Sequence, residues 1–378
     1  MYINEIFQID DILEEEKRIA REKEIKVINV SHWNTAPTYQ EYMLKNIILN
    51  HENNIFDYVY SYDFKKMTRE QILCKVGVEN KKNCMCLLTP SSTISILNII
   101  NYLKLNGYHK LCILEPAYFS VEQACIAFGL NYQKKSLEYR EWHYSLPSVN
   151  EIIEGNFDAI WITSPIYSSG IKYNDSQINT IKKLINRNVL VIADETLSLS
   201  GQELCRRIPI SRNFFSIYSP HKALFINSIK FSAIVCPLEN DDFFEQWIDV
   251  LGGGLLSSNV TAILHFLSDN FDYCTQKSTK WFKNTLNVVQ EVLKQFPKVY
   301  CDTNDIGAYK LIIINSNKKT NINDIACIVD IMHKKYVSYI PGIYHGYNNI
   351  HTNCFRINMS TNPNDIQIAL YNILSNYL

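Results

Sequence analysis

Two residues that can do covalent and acid–base chemistry follow apolar, strand-like runs of this sequence. Asp194 follows Val189–Ala193, and Lys222 stands shortly after Phe214–Ile217. A carboxylate at a strand end can hold a protonated heterocyclic nitrogen, and a lysine near a buried acid and an anion site can carry a Schiff base. Taken singly, Asp194 is also compatible with a helix cap or a surface charge, and Lys222 with an ordinary surface lysine.

Small hydroxyl residues follow another apolar run. Ser91, Ser92 and Thr93 come after Cys84–Leu88 and open the apolar segment Ile94–Leu103. Backbone N–H groups and the dipole at the beginning of a helix attract an anion. The same residues would also serve as a plain helix cap, so the turn is a candidate anion site with a structural alternative.

Two tyrosines stand just beyond further strand candidates. Tyr118 follows Lys110–Glu115, and Tyr167 follows Ala159–Thr163. Either can contact a flat cofactor, and either is also typical of an aromatic packed at the rim of a sheet. We keep both as candidate site residues.

The positions of these residues depend on short apolar runs that alternate with amphipathic segments. The runs lack period-two alternation, which is typical of strands covered on both faces. Ligands bind beyond the carboxyl ends of parallel strands, so one edge of the sheet is predicted to gather the candidates. The predicted strands are Cys84–Leu88, Lys110–Glu115, Ala159–Thr163, Val189–Ala193, Phe214–Ile217 and Ser232–Cys236.

A different pattern begins near residue 270, where interleaved strand and helix candidates predict a smaller α+β domain. Its predicted strands are Tyr309–Ile314, Val337–Tyr339 and Phe355–Met359, and its predicted helices are Asn323–His333 and Asp365–Tyr377. The predicted domains are an N-terminal segment, 1–49, a large domain, 50–270, and a small C-terminal domain, 271–378.

The composition narrows the function classes. The chain has 378 residues with 37 basic and 38 acidic side chains, so no strong field favours nucleic acid or anionic lipid. Eleven cysteines are too few for a disulfide scaffold, and Cys84-x-Cys86 has no second pair at zinc spacing, so no metal site is expected. No signal peptide or membrane-spanning run is visible, and together with the reduced cysteines this predicts a cytoplasmic protein. The balanced charge favours a small-molecule partner.

The order and spacing of these candidate residues resemble the pattern of the fold-type I pyridoxal-phosphate enzymes, the class I/II aminotransferase superfamily. The resemblance covers nearly the whole chain. The resemblance implies an α/β fold like that of aspartate aminotransferase. A mostly parallel sheet lies in a large doubly wound domain, and both chain ends form a smaller α+β domain. The implied cofactor is pyridoxal 5'-phosphate, bound to Lys222, three residues after Ser219, with Asp194 beside the ring nitrogen. Such an aspartate keeps the nitrogen protonated, so that the ring can accept electrons.

The resemblance assigns further residues around the cofactor and the substrate. Ser91–Thr93 match the turn that holds the cofactor phosphate, and Tyr118 matches the aromatic that stacks on the ring. Arg356, in the segment Cys354–Asn358, matches the arginine that binds the substrate carboxylate. The planar guanidinium suits this role because it can bind a carboxylate through two hydrogen bonds.

The resemblance also implies a homodimer with shared active sites. A tyrosine of one subunit reaches the phosphate of the other in this family, and Tyr58, Tyr60 and Tyr62 lie in that region, where the register favours Tyr58. Trp33 and Asn34 lie in the amino-terminal segment that corresponds to part of the active site, so they are candidates to line the substrate pocket. An aromatic residue in a loop is as often plain packing.

Three departures from the family pattern affect the cofactor site. Tyr167 replaces the asparagine that bonds the phenolic oxygen of the cofactor, and Leu197 replaces a tyrosine. Lys230 stands where the family has an arginine that binds the phosphate. The lysine keeps the positive charge but lacks the planar guanidinium with its paired N–H donors. These changes indicate a specialised relative.

We therefore predict a pyridoxal-phosphate-dependent enzyme that acts at the α-carbon of an amino acid. The predicted catalytic residues are Lys222, Asp194 and Tyr167, with Lys222 as the proton-transfer base. An aminotransferase of specialised metabolism is preferred, and lyase, decarboxylase, cyclase or oxidase chemistry on the same fold is the alternative. A non-catalytic scaffold is a further alternative, which Tyr167 and Leu197 favour and the retention of Asp194, Lys222 and Arg356 disfavours.

Overall fold

The chain forms two compact units in a computed structural model that describes residues 2–44, 61–78, 81–140, 143–227, 229–253, 257–315, 321–351 and 353–378. The smaller unit comprises Met1–Lys45, Ser168–Ile171 and Lys277–Leu378, and the larger unit comprises Asn46–Tyr167 and Lys172–Gln276. The main divisions therefore follow residues 45 and 276, where the sequence analysis placed them after 49 and 270.

The helices in the described residues are α1 (Tyr2–Lys23), α2 (Pro37–Leu44), α3 (Ser61–Lys75), α4 (Ser92–Leu105), α5 (Ser120–Phe128), α6 (Val149–Glu154), α7 (Asp175–Asn186), α8 (Pro220–Ala223), α9 (Asp241–Gly252), α10 (Ser257–His265), α11 (Phe271–Leu293), α12 (Ile325–Lys335) and α13 (Pro363–Tyr377). A π-helical turn, Phe266–Asn270, joins α10 to α11. None of the helices in the part of the chain just defined has the length and apolar character needed to cross a membrane.

The strands in the same residues are β1 (Ile28–Asn29), β2 (Cys84–Thr89), β3 (Lys110–Glu115), β4 (Asn131–Ser136), β5 (Glu138–Arg140), β6 (His143–Ser145), β7 (Ala159–Thr163), β8 (Leu190–Glu195), β9 (Phe214–Tyr218), β10 (Ser232–Pro237), β11 (Val299–Tyr300), β12 (Tyr309–Ile314), β13 (Val337–Ser338) and β14 (Cys354–Asn358).

The larger unit is built on a sheet whose strands, as far as the described residues extend, have the order β2–β10–β9–β8–β7–β3–β4. Strand β10 is antiparallel to both neighbours, and the remaining pairs are parallel. Strands β2, β3, β7, β8 and β9 therefore all end at one edge of the sheet. The prediction of an α/β fold with a mostly parallel sheet is confirmed.

The core of the larger unit is formed by side chains of the sheet and of the helices that cover it. Every residue of β2, β7, β8, β9 and β10 is buried, as expected for strands covered on both faces. Helix α4 contributes Ile96, Ile99, Ile100 and Leu103, which share one helix face and are fully buried. Burial of each such side chain stabilises the fold by roughly 1.5–3 kcal/mol. The core therefore fixes where β2 ends and α4 begins.

The smaller unit combines the two ends of the chain. Strands β11, β12 and β14 form an antiparallel sheet, and β1 pairs in parallel with β13 through Ile28 and Val337. The predicted strands and helices of the C-terminal part are all present, as β12, β13, β14, α12 and α13. Their ends differ from the predicted ones by no more than two residues.

Some elements were not predicted or differ in extent. Strands β4, β5 and β6 were not predicted. The amphipathic stretch Trp281–Phe296 predicts a helix from its sequence, and the structure has α11 there, beginning ten residues earlier at Phe271. The mixed charges at helical spacing over residues 12–26 also predict a helix, and the structure has α1 over Tyr2–Lys23.

Candidate functional site

The turn after β2 is held by a cap and by a buried hydroxyl. Ser91 is the N-cap of α4, and its Oγ accepts a hydrogen bond from the backbone N–H of Ile94 at 3.3 Å. The hydroxyl of Thr89 donates to the Ser91 carbonyl at 2.9 Å, which fixes the turn from the strand side. Ser92 is buried and Thr93 is half-buried. The cap is compatible with the predicted anion site, because it uses the side chain of Ser91 and leaves the dipole of α4 in place.

Lys222 lies in the short helix α8, just after Ser219. Its Nζ donates a hydrogen bond to Ser92 Oγ at 3.2 Å and lies 5.2 Å from the centre of the Tyr118 ring. The structure thus brings together residues from the ends of β2, β3 and β9. Lys222 is half-buried, and its amine points to the helix N-terminus that the sequence marked as an anion site.

Asp194 is a buried carboxylate near the end of β8, with only 3% of its surface exposed. It accepts a hydrogen bond from the backbone N–H of Thr196 at 3.1 Å. Burial raises the pKa of Asp194, whereas the Thr196 hydrogen bonds and the positive charge of Lys222 lower it by less. A cation placed against this carboxylate would therefore favour its charged form.

Two contacts tie the loop after β7 to the end of β8. The N–H of Ser164 donates to the carbonyl of Asp194 at 2.9 Å, and the Ser198 hydroxyl donates to the carbonyl of Ser164 at 2.8 Å. Tyr167, which follows in this loop, is 7% exposed, and its ring centre lies 6.3 Å from that of Tyr118 at an interplanar angle of 55°. The two tyrosines predicted from separate loops thus lie side by side.

Ser219 and His221, which precede Lys222 by three residues and by one, carry buried polar atoms. Among the described residues, the Oγ of Ser219 and the Nδ1 of His221 have no hydrogen-bond partner. Burial lowers the pKa of His221 to about 3, and the charges of Lys222 and Lys230 act in the same direction. Lys230 itself is exposed. His221 is therefore a neutral imidazole that sequence reasoning missed, although its position beside Lys222 was a signal.

Glu195 is a second acid that the sequence analysis did not single out. It is fully buried and accepts hydrogen bonds from the Ser216 hydroxyl at 2.6 Å and from the backbone N–H of Leu204. Burial raises the pKa of Glu195 to about 7. Successive strand residues point to opposite faces, so Glu195 faces away from the side that Asp194 occupies.

Arg356 lies in β14 of the smaller unit and is fully buried. Its Cζ lies 3.4 Å from the centre of the Trp33 ring and 4.5 Å from that of Tyr309. Its Nε and Nη2 donate to the carbonyl of Ser31 at 3.3 and 2.9 Å. Two aromatic faces and one carbonyl therefore fix the plane of the guanidinium.

The segment around Trp33 is tied to the same strand. The ring of Trp33 is 37% exposed and meets that of His345 edge-on at 5.9 Å. Asn358 donates from Nδ2 to the carbonyls of His32 at 2.8 Å and Asn34 at 3.2 Å. Trp33 thus contacts the predicted carboxylate-binding arginine directly, whereas Asn34 is exposed and is held through its backbone.

Tyr58 lies outside the described residues. In the described part of the chain, no group of three or more His, Cys, Asp or Glu side chains is placed to hold a metal ion.

Solved structures with the same fold include aminotransferases and a pyridoxal-phosphate-bound C–S lyase. The multiple substrate aminotransferase of Thermococcus profundus matches 97% of this chain and 94% of its own, at 12% identity and a TM-score of 0.76. YbdL of Escherichia coli, identified with a methionine aminotransferase function, matches 96% of each chain at 12% identity and a TM-score of 0.73. A pyridoxal-phosphate-bound C–S lyase of Staphylococcus hominis matches 93% of this chain and 89% of its own, at 15% identity and a TM-score of 0.70.

The chain has the fold of the fold-type I pyridoxal-phosphate enzymes, as the sequence predicted. No protein-family model and no curated protein matches it. At these identities the similarity establishes the fold, so activity is argued from the residues of this chain.

Proposed function

We propose that this chain is a pyridoxal-phosphate-dependent enzyme that acts at the α-carbon of an amino acid, as an aminotransferase of specialised metabolism. The observation that carries the proposal is the contact between the Lys222 amine and the Ser92 hydroxyl at the N-terminus of α4. A reactive amine at a helix N-terminus is suited to a ligand that carries both a carbonyl group and a phosphate.

The buried polar atoms of the larger unit fit this cofactor. The hydroxyl of Ser219 is buried and, among the described residues, lacks a partner, so a phosphate oxygen would satisfy it. Ser91–Thr93 would hold the same phosphate through backbone N–H groups and hydroxyls. Asp194 would pair with the ring nitrogen, because a buried carboxylate is stabilised by a cation against it. Tyr118 would stack on the ring.

When bound, pyridoxal phosphate supplies a ring that accepts the electron pair left when a bond at the substrate α-carbon breaks. Lys222 would bind the aldehyde carbon covalently and, once displaced by the substrate amine, would move the proton at the α-carbon. Asp194 would keep the proton on the ring nitrogen. Tyr167 would donate a hydrogen bond from its hydroxyl to the phenolic oxygen of the cofactor. Lys230 would place a positive charge near the phosphate.

Arg356 would bind the carboxylate of the substrate in the plane that Trp33 and Tyr309 define. An ion pair of this kind stabilises the carboxylate that a decarboxylase must release, so decarboxylation is disfavoured. Trp33 and Asn34 would line the substrate pocket.

The remaining parts of the proposal concern assembly and location. A homodimer would supply Tyr58 of the second subunit to the phosphate. A cytoplasmic location is supported by the eleven cysteines, all of which are free thiols.

A visible absorbance band tests the cofactor assignment. The purified protein mixed with pyridoxal phosphate should absorb in the visible range, and borohydride should remove the band and leave the cofactor fixed to Lys222 in a peptide map. The variant Lys222→Ala should show no fixed cofactor, whereas Lys183→Ala, which removes an exposed lysine of α7, should behave as the wild type. A protein that stays colourless would instead support the scaffold.

C–S lyase chemistry is the second candidate, because one of the structures with this fold is a C–S lyase. The two reactions differ in their need for an amino-group acceptor. An aminotransferase consumes a 2-oxo acid and returns a new amino acid, whereas a lyase releases ammonia and a thiol from a sulfur amino acid without an acceptor. Mass spectrometry of products from an amino-acid panel, with and without 2-oxo acids, separates them.

A further inference from the structure

Cys74 differs from the other cysteines of the chain in its accessibility. It is the one exposed thiol among the eleven cysteines, since nine are buried and Cys327 is half-buried. Oxidants reach an exposed thiol first, and the thiolate is the form that reacts. Cys74 is therefore the cysteine at which oxidation chemistry would begin.

A lysine amine lies directly against this thiol. Nζ of Lys81 is 2.6 Å from Sγ of Cys74. The amine therefore lies within hydrogen-bonding distance of the thiol. The two atoms are thus close enough to react after only a small movement.

The backbone on both sides of the pair is fixed. At the end of α3, the N–H of Val78 donates to Leu73 at 3.0 Å and that of Gly77 donates to Cys74 at 3.2 Å, with Gly77 at φ +70°. This is the Schellman arrangement, in which a glycine takes the left-handed conformation that other residues avoid. It holds Cys74 in the last turn of the helix.

Lys81 is held from the same helix. Nη2 of Arg69 in α3 donates to the carbonyls of Lys81 at 3.0 Å and Lys82 at 3.3 Å. The amine of Lys81 and the sulfur of Cys74 are therefore presented to each other by one helix, which raises their effective concentration. Lys75, the neighbouring lysine, is engaged with Asp272 at 2.8 Å.

We propose that Cys74 and Lys81 form a reversible covalent cross-link when the protein meets hydrogen peroxide. The Cys74 thiolate attacks one peroxide oxygen, an S–O bond forms, the O–O bond breaks, and hydroxide leaves as water after taking a proton. Sulfur is oxidised by two electrons and the peroxide is reduced. The neutral Lys81 amine then attacks this sulfenic sulfur, an S–N bond forms, the S–O bond breaks, and the hydroxyl leaves as water with a proton from the amine.

The cross-link would join the end of α3 to the residue three positions before β2. It would also protect the sulfur, because a sulfenic acid that has condensed with nitrogen is not oxidised further to the irreversible sulfinic acid. A thiol reagent would restore the thiol and the amine and become a disulfide itself. The site is thus a modification site that is independent of the proposed pyridoxal-phosphate chemistry.

The sequence offers a direct assay for this bond. The native protein is treated with hydrogen peroxide, its free thiols are alkylated, and it is cleaved after glutamate. Glu79 separates Cys74 from Lys81, so peptides 71–79 and 80–115 stay together only if a cross-link joins them. We expect a joined pair that is lighter than the sum of the two peptides by two hydrogen atoms, with Cys74 and Lys81 as the linked residues in its fragment spectrum. Dithiothreitol should separate the pair.

Two matched variants test whether the Lys81 amine reacts with Cys74 or only lies close to it. Lys81→Arg keeps the positive charge and removes the nucleophilic amine, so dimedone, which captures sulfenic acids, should label Cys74 several times more strongly than in the wild type. Lys82→Arg makes the same change at the adjacent lysine and should behave as the wild type. A joined pair one oxygen atom heavier would also support a Cys74–Lys81 bond. Equal dimedone labelling in all three proteins, with no joined peptides, would overturn the proposal.

Discussion

The charge of Asp194 depends on what lies against it. The carboxylate is almost fully buried, burial raises its pKa, and Lys222 supplies the only side-chain cation among the causes that lower it. A protonated ring nitrogen would add a direct partner. This is the role that the proposed function gives to the residue.

Asp194→Asn removes that charge with little change in size. We expect cofactor capture to persist and turnover to fall by about two to four orders of magnitude, the usual loss when a group that controls a catalytic proton is removed. Steady-state kinetics and the absorbance of bound cofactor provide the two measurements. Asp175→Asn, at an exposed acid paired with Arg207, is the control. Normal turnover in Asp194→Asn would exclude the assigned role.

Trp33 provides a test of the arginine that is proposed to bind substrate. Trp33→Leu removes the ring 3.4 Å from the Arg356 guanidinium. A cation–π contact is worth about 0.5–2 kcal/mol, so KM for the amino acid should rise by about 2- to 30-fold, with a smaller change in kcat. Trp33→Phe keeps an aromatic face and should retain most of the affinity. An unchanged KM in Trp33→Leu would show that the stacking does not serve substrate binding.

The candidate site residues that the sequence predicts are those close to strand ends. Asp194 stands directly after one apolar run and Lys222 shortly after another, so their place at one edge of the sheet followed from topology. His221 was overlooked because its burial depends on packing beyond its own segment. The stacking of Tyr309 on Arg356 was overlooked because it joins residues from neighbouring antiparallel strands, whose register no local pattern reveals.

At the scale of elements, apolar character decided which strands were predictable. The fully buried strands β2, β7, β8, β9 and β10 can be recognised in the sequence as continuous apolar runs. Strand β4 was missed because Asn131–Ser136 is polar and lies at the edge of the sheet. Its Lys134 is paired with Glu115 at 3.1 Å, and lysines on an edge strand discourage pairing with other chains. Helix α7 carries a start signal in the sequence as well as an apolar face, because Asn174 is its N-cap.

That cap allows a stability prediction. Asn174 accepts from the N–H of Gln177 at 2.9 Å, and the Gln177 side chain accepts from the N–H of Asn174 at 2.7 Å. Asn174→Ala should lower the free energy of unfolding by about 1 kcal/mol, because the first N–H groups of α7 lose their acceptor. Urea denaturation gives the measurement. Asn174→Ser, which keeps an acceptor, should lose much less, and equal losses in both variants would contradict the capping explanation.

At the scale of the whole molecule, buried acids make stability depend on pH. The pKa of Glu195 is about 7 in the folded protein against an ordinary value of 4.5. Between these values the folded state keeps a proton that the unfolded state has lost, so the free energy of unfolding falls as the pH rises and the loss is complete above about pH 7. The lowered pKa values of His221 and His351 have the opposite effect. Below the ordinary histidine pKa of 6.5 the unfolded state binds protons that the folded state does not, so the free energy of unfolding falls as the pH falls.

Glu195→Gln isolates the glutamate from the histidines. Between pH 5 and 7.5, the wild type should lose about 1–3 kcal/mol of unfolding free energy relative to Glu195→Gln, because the glutamine stays neutral. Denaturation at a series of pH values gives both curves. The exposed Glu14→Gln should leave the wild-type curve unchanged in shape. Parallel curves for the wild type and Glu195→Gln would contradict the raised pKa.

The pairing of β1 with β13 sets an order of events during protein synthesis. Helix α1, with its fully buried Ile12 and Ile19, packs against α12, so α1 and β1 can pack only after α12 and β13 have been synthesised. Residues 46–276 are translated in between, which takes about 10–50 s at the usual speed of a ribosome. Throughout that time the apolar face of α1 is presented to the surrounding solution on the nascent polypeptide. We therefore expect α1 to bind a chaperone on the nascent chain until its packing partner α12 has been synthesised.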